Sequence, residues 1–176
     1  MPTQKLQPSR AIQVILSDYA DIPSPNVLIT GTTTGATTNG LPDANVDFFV
    51  SSASEATSSV NNVEYKVNVG DIVYYPAGQR AGTIIEVLDE HNLLLNYDVF
   101  NGDDLVDYII YQAGAETGLG NQGCVLYVGT GGDLLVTTSG QDSVTFKNIP
   151  NGTFLPVNVV SAKSYSTTAG DIIALW

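Results

Sequence analysis

The sequence has few of the residues on which most catalytic and metal sites depend. Its 176 residues include one cysteine, Cys124, and one histidine, His91. A single cysteine cannot form an intrachain disulfide, and Cys124 lies in an apolar run, so we expect a buried structural thiol rather than a nucleophile. His91 lies among acidic and amide residues in a predicted turn. We interpret it as a surface turn residue, because the composition offers few partners for a metal or triad role. The sequence thus predicts no catalytic residue, no cofactor and no metal ligand.

Basic residues are scarce as well. Six lysines and arginines face 18 acidic residues, which gives a net charge of −12. This balance disfavours nucleic acid and anionic lipid as partners, because phosphate groups repel an acidic surface. No apolar stretch reaches the roughly 20 residues of a membrane span, and the N-terminus leads into no signal-peptide run. We therefore expect a soluble protein that is made in a cytoplasm and binds neither nucleic acid nor membrane.

Helix-forming charged residues are few, whereas strand and turn signals are frequent. Charged residues make up 14% of the chain and hydrophobic residues 43%, so there is little to support long helices but enough apolar surface for one good core or two small ones. From Gly123 to Trp176 the chain alternates short apolar runs with turns such as Gly129–Gly132 and Pro150–Gly152. This alternation is typical of antiparallel hairpins.

Two turn-rich stretches divide the chain. Gly31–Gly40 is low in complexity, and Ala113–Gly123 is rich in glycine. The sequence predicts an all-β protein in which residues 1–26 and 114–176 form one antiparallel, jelly-roll-like β-sandwich. Residues 1–10 would form an arm, and residues 27–113 an inserted small β-barrel or β-sheet domain of five or six short strands.

The densest group of carboxylates lies near the end of the predicted insert, at Asp103, Asp104 and Asp107, with Asp98 nearby. Oxygen ligands on a turn suit calcium, although the spacing differs from that of the EF-hand loop. Aspartates also cap turns without any ion. A glycosidase pair would require a separation in space that the sequence does not give.

Tyrosines are the other candidate group in the predicted insert. Their rings could stack on the apolar face of a sugar, or they could be half-buried packing residues of strands. The residues concerned are Tyr74, Tyr75, Tyr97, Tyr108 and Tyr111.

Two segments of the sequence resemble small structural proteins of tailed-phage virions. In that class a strand of the type LYVGGxGxxxVTTxxG precedes VTFxxVPxGTxLPVxV and a terminal TTAxxIxALW. Here the segments are LYVGTGGDLLVTTSG (126–140), VTFKNIPNGTFLPVNV (144–159) and TTAGDIIALW (167–176), and the opening strand is followed by SDYADIPSP. The resemblance covers residues 11–26 and 123–176 and extends to the spike-base proteins of gene-transfer-agent and phage-like particles. In those proteins the two segments follow one another closely, whereas here residues 27–122 intervene.

The resemblance implies a β-sandwich that attaches to a virion surface and assembles as a homo-oligomer without catalytic residues. We expect a non-enzymatic capsid decoration (cement) or head-spike base protein on the outer surface of the capsid, synthesised in the host cytoplasm. Its partners would be the major capsid protein or other virion proteins. A tail, neck or baseplate component, and a carbohydrate-binding module for host glycans, remain alternatives.

The contact with the capsid or with other subunits is expected at the two chain ends. The arm would touch the shell, and the opening and closing strands would supply core or edge pairing. The predicted contact residues are Lys5, Pro8, Arg10, Ile12 and Trp176.

Overall fold

The computed structural model describes residues 8–35, 37–50, 64–114 and 122–176, without the side chains of residues 49, 50, 64 and 65. This part of the chain contains no helix, and all of its strand pairs are antiparallel. The predicted all-β, sandwich-like fold class is therefore confirmed. The chain divides into two compact units, unit 1 (residues 1–25 and 113–176) and unit 2 (residues 26–112). These bounds lie one residue from the predicted division.

The described residues form fourteen strands. In chain order they are β1 (Ala11–Gln13), β2 (Val27–Thr32), β3 (Gly40–Pro42), β4 (Phe49–Val50), β5 (Glu64–Tyr65), β6 (Ile72–Tyr75), β7 (Arg80–Asp89), β8 (Asn92–Leu95), β9 (Asp107–Tyr111), β10 (Cys124–Thr130), β11 (Gly132–Thr138), β12 (Ser143–Ile149), β13 (Thr153–Ala162) and β14 (Gly170–Leu175).

Unit 1 is a six-stranded sheet in the order β1-β14-β10-β13-β11-β12. The long strand β13 pairs with β10 up to Val159, and with β11 from Val159 to Ala162. Beside its second half lies the segment that follows β1, since the Ser17 N–H donates to the Ala162 carbonyl at 3.0 Å and the Ile22 N–H to the Val160 carbonyl at 2.8 Å. The sheet therefore curls about β13 into two layers.

The two layers of unit 1 enclose one apolar core, because alternate residues of each strand point inward. Cys124 lies in this core and is 3% exposed, with its Sγ 3.4 Å from the Val159 carbonyl, as predicted for a buried thiol. The other buried members are Val14, Ile22, Leu126, Val128, Leu134, Val136, Ile149, Leu155, Val159, Ala162, Ala169, Ile172 and Ala174.

Unit 2 contains a six-stranded sheet, in the order β2-β9-β6-β7-β8-β3, and the two-stranded pair β4-β5. Strand β7 pairs with β6 through Arg80–Thr83 and with β8 through Ile84–Asp89. The described residues of unit 2 thus form eight strands, whereas the sequence predicted five or six. The additional β3 has the sequence Gly-Leu-Pro, which reads as a turn because glycine and proline are rare within strands.

A buried acid and a buried tyrosine hold unit 2 together. Asp43 is 1% exposed, and its Oδ2 accepts a hydrogen bond of 2.8 Å from the Tyr108 hydroxyl, while its Oδ1 accepts one of 2.9 Å from the Asn45 N–H. Burial, followed by the hydrogen bond to Asp43 and its charge, raises the pKa of Tyr108 well above its ordinary value. Gly31 leaves room for this hydrogen bond, because a Cβ at that position would lie 2.5 Å from the Asp43 Oδ2 and 2.5 Å from the Tyr108 hydroxyl oxygen.

Removing the Tyr108 hydroxyl should destabilise unit 2, because one oxygen of the buried Asp43 carboxylate would lose its partner. We expect Tyr108→Phe to lower the free energy of unfolding by about 1–3 kcal/mol. Urea unfolding followed by far-UV circular dichroism measures this loss. Tyr165→Phe is the matched control, since Tyr165 is 57% exposed and its loss should cost under about 0.5 kcal/mol. Equal stability of the two variants would contradict the assignment.

A carboxylate links the two sequence segments of unit 1. Asp18 Oδ1 accepts hydrogen bonds from the N–H groups of Ser164 (2.9 Å) and Tyr165 (3.2 Å), and its Oδ2 accepts one from the Ser164 hydroxyl (2.6 Å). Burial alone would raise the pKa of Asp18. The hydrogen bonds from Ser164 and Tyr165, with the charge of Lys163, bring that pKa below its ordinary value of 3.8. The ionised form is thus favoured in the folded state.

Asp18→Ala should destabilise unit 1 by about 1 kcal/mol at neutral pH, since solvent screens this exposed carboxylate in part. Because the pKa is lowered on folding, the contribution is present above pH 3.8 and is lost as the pH falls through the folded-state pKa. Urea unfolding at pH 6 and pH 3, followed by the fluorescence of the single tryptophan, Trp176, measures the change. Asp142→Ala, in the turn between β11 and β12, is the control. A difference that does not shrink at pH 3 would contradict the account.

Candidate functional site

Four of the five predicted contact residues lie at one edge of the unit 1 sheet, and Lys5 lies outside the described residues. The Trp176 N–H donates to the Arg10 carbonyl at 3.1 Å, and the Arg10 guanidinium donates to the Pro25 carbonyl at 2.5 Å. Ile12 and Trp176 are half-buried against the core of unit 1, whereas Pro8 is exposed. Arg10, Ile12 and Trp176 therefore take part in internal contacts that hold this edge together.

Strand β1 is an edge strand of the sheet, paired with β14 on one side. The main-chain hydrogen bonds between the two strands alternate, as antiparallel geometry requires. The Arg10 and Val14 N–H groups point toward β14, with Val14 donating to the Ile172 carbonyl at 2.9 Å. The main-chain groups of Ala11 and Gln13 therefore point away from the sheet. Such an edge is a ready template for a strand of another chain.

A groove of about 440 Å³ runs beside this edge strand. Its floor and walls are largely apolar, and Asp171 contributes one carboxylate, which accepts a hydrogen bond from the Thr130 hydroxyl. The lining residues are Ala11, Ile12, Gln13, Asp171 and Ile173.

An apolar outer face adjoins the groove on the same sheet. Val125 pairs with Leu175, and Tyr127 pairs with both Ile173 and Phe154, so these five side chains lie side by side. The ring centroids of Tyr127 and Phe154 are 5.1 Å apart, and the Phe154 side chain is 54% exposed. The alternate residues of β10, Leu126 and Val128, fill the core on the opposite face. We call these five residues the outer face; Val125 is 8% exposed, Tyr127, Ile173 and Leu175 are half-buried, and Phe154 is the exposed member.

The sequence contained a signal for this face in a run of consecutive apolar residues, which a search for strict alternation misses. A strand with one solvated face alternates apolar and polar residues, whereas one covered on both faces is apolar throughout. Val125, Leu126, Tyr127 and Val128 are consecutive and apolar. The second face of β10 is therefore apolar too, and it is covered in part within the chain, since Val125 is buried and Tyr127 half-buried.

The tyrosines of unit 2 are mainly packing residues. Tyr74, Tyr75 and Tyr108 are at most 6% exposed, so none of them presents a ring face to a sugar. Tyr97 and Tyr111 are half-buried. The ring centroids of Tyr111 and Tyr74 are 5.2 Å apart in an edge-to-face arrangement. A sugar platform would be reduced to these last two residues.

The acidic group of unit 2 does not converge. Asp103 accepts a hydrogen bond of 3.1 Å from the Tyr75 hydroxyl, and Asp107 accepts one of 2.7 Å from the Thr32 hydroxyl. Among the described residues, the carboxylates of Asp103, Asp104 and Asp107 belong to no cluster of three potential metal ligands. Asp103 thus ties the turn before β9 to β6, and Asp107 links the paired strands β9 and β2.

His91 lies in the predicted hairpin turn between β7 and β8, but it has neighbours that sequence analysis missed. Asp47 and Glu90 each bring a carboxylate close to its ring. Asp47 is distant in the sequence and carried no local signal of this contact.

The chain matches no protein-family model, no curated protein and no solved structure. Within the described residues, no helical segment has the length and apolar character of a membrane span.

The Cys124 thiol should be unreactive in the folded protein. Burial raises its pKa to about 12, despite the opposing hydrogen bond with the Leu175 main chain, so almost no thiolate exists at pH 8. We expect labelling by a disulfide reagent to be at least about 100-fold slower for the native protein than in 6 M guanidinium chloride. Comparable rates would show that the thiol is exposed and would contradict its place in the core.

Proposed function

We propose that the chain is a non-enzymatic structural protein of a phage virion, a capsid decoration or head-spike base protein that attaches through unit 1. The observation that carries the proposal is the outer face beside the open edge of β1. Apolar side chains adjoin main-chain groups of Ala11 and Gln13 that pair with no described strand, which is the combination that an attachment surface requires.

The two parts of this surface contribute in different ways. Full burial of a side chain such as Phe154 contributes about 1.5–3 kcal/mol, so the outer face provides most of the affinity. Main-chain hydrogen bonds at Ala11 and Gln13 fix register and direction rather than adding much free energy. Several copies in one oligomer would bind a repetitive shell far more tightly than one copy, because the later contacts are intramolecular.

The charge of the chain supports the outer surface of the capsid as its location. A protein with a net charge of −12 is repelled by packaged nucleic acid. The resemblance of residues 11–26 and 123–176 to virion proteins supports the same class, with the major capsid protein as the expected partner. Arg10, Ile12 and Trp176 stay proposed contact residues, and their internal contacts would hold the edge in place for the partner.

A charge placed on the outer face should release the protein from the particle. We expect Phe154→Asp to lower the occupancy of this chain on purified virions at least about tenfold, since hot-spot contacts contribute 2 kcal/mol or more. Tyr165→Asp is the matched control, because the two residues are 54% and 57% exposed and both belong to unit 1. Quantitative mass spectrometry of the particles measures occupancy.

Two results would contradict the proposal. One is the absence of the wild-type chain from virions assembled from a genome that encodes it. The other is equal occupancy by Phe154→Asp and the wild type, with tryptophan fluorescence confirming that the variant is folded.

A further inference from the structure

Three potential metal ligands meet at the turn between β7 and β8. One ring nitrogen of His91 and one carboxylate oxygen each from Asp47 and Glu90 all lie within 4.8 Å of one another. The Glu90 Oε1 is 3.6 Å from the His91 Nε2, and the Asp47 Oδ1 is 3.7 Å from the Nδ1. A tetrahedral ion with ligands at about 2.0–2.2 Å requires neighbouring ligand atoms about 3.3–3.6 Å apart. Glu90 already faces the Nε2, whereas the Asp47 carboxylate lies nearer the Nδ1 and must rotate toward the Nε2 side. Its side chain is 59% exposed and is free to make that rotation.

The backbone holds this cluster independently of the three side chains. The segment that carries Asp47 is bonded on both sides to the turn, since the Asp43 N–H donates to the His91 carbonyl at 2.9 Å and the Phe48 N–H to the Glu90 carbonyl at 2.7 Å. Phe48 is fully buried in the core of unit 2. The Cα positions of the cluster are therefore set by the fold.

The imidazole is oriented for coordination through one nitrogen. The His91 Nδ1 lies 2.9 Å from the Val46 carbonyl, so the neutral ring donates its proton there and leaves the Nε2 lone pair on the side of Glu90. A ligating histidine usually has this arrangement, with its second nitrogen bonded to a carbonyl or a carboxylate. The nearby Asp89 is occupied by the His91 N–H and the Asn92 side chain and stays outside the cluster.

We propose that Asp47, Glu90 and His91 bind a divalent transition-metal ion of the zinc class, with solvent completing its coordination. Imidazole nitrogen favours zinc and its neighbours over calcium and magnesium, which prefer oxygen ligands alone. The ion would cross-link the segment at residues 43–48 to the β7–β8 turn and so stabilise unit 2. This proposal is independent of attachment to a virion.

Calorimetric titration of the tag-free, chelator-treated protein with zinc chloride tests the site. We expect one zinc ion per chain and, at about 100 times the dissociation constant, a rise of at least about 10 °C in the melting temperature of unit 2. His91→Gln and Glu90→Gln should each weaken binding by at least about tenfold, because even outer-shell partners of a metal contribute 10–100-fold. Glu86→Gln removes the same charge from an exposed glutamate of the same hairpin and should change the affinity less than twofold.

The comparison of the two glutamate variants decides the outcome even if His91→Gln fails to fold. Equal weakening by Glu90→Gln and Glu86→Gln would mean that zinc binds to the acidic surface in general, and would overturn the proposal. Absence of one-to-one binding by the wild type would overturn it too. So would equally tight binding of calcium, because a site that uses the imidazole discriminates between the two ions.

Discussion

The antiparallel pairing of β1 with β14 is the interaction on which the rest of unit 1 depends. It fixes the segment that follows β1, whose residues 17–22 then complete the second half of β13. The segment also contributes Val14 and Ile22 to the core of unit 1. The two ends of unit 2 lie side by side, since the Gln112 N–H donates to the Asn26 carbonyl at 2.9 Å. A contiguous unit can therefore interrupt a unit built from distant segments.

The same pairing also produces the proposed attachment surface. β1 is held to β14 on one side, no described strand pairs with its other edge, and the outer face continues from that edge across β14 and β10. Attachment to a shell would thus draw on the rigidity of the whole sheet, since neither the edge nor the face lies on a loop. A surface of this kind needs no catalytic group, and the composition of the chain is poor in such groups.

The fold class could be predicted from the sequence because strand period and turn residues are local signals. The division into two units followed from turn-rich stretches, and Cys124 was placed correctly because its neighbours are apolar. The cluster around His91 was missed because Asp47 reaches it only through long-range strand pairing, for which the sequence has no local signal. Arg10 and Trp176, predicted to contact a partner, also have contacts within the chain. The same residue types occur at the edge of a sheet whether they pack within the chain or contact a partner.

The central claim is that unit 1 attaches this chain to the outside of a capsid through β1 and the outer face. Cryo-electron microscopy of the intact virion tests it most directly, because the two units differ in sequence and each can be fitted to the density by itself. The account predicts density on the head surface, with the β1 edge and Phe154 of unit 1 against the shell. Density on the tail, or shell contact made by unit 2 alone, would contradict it.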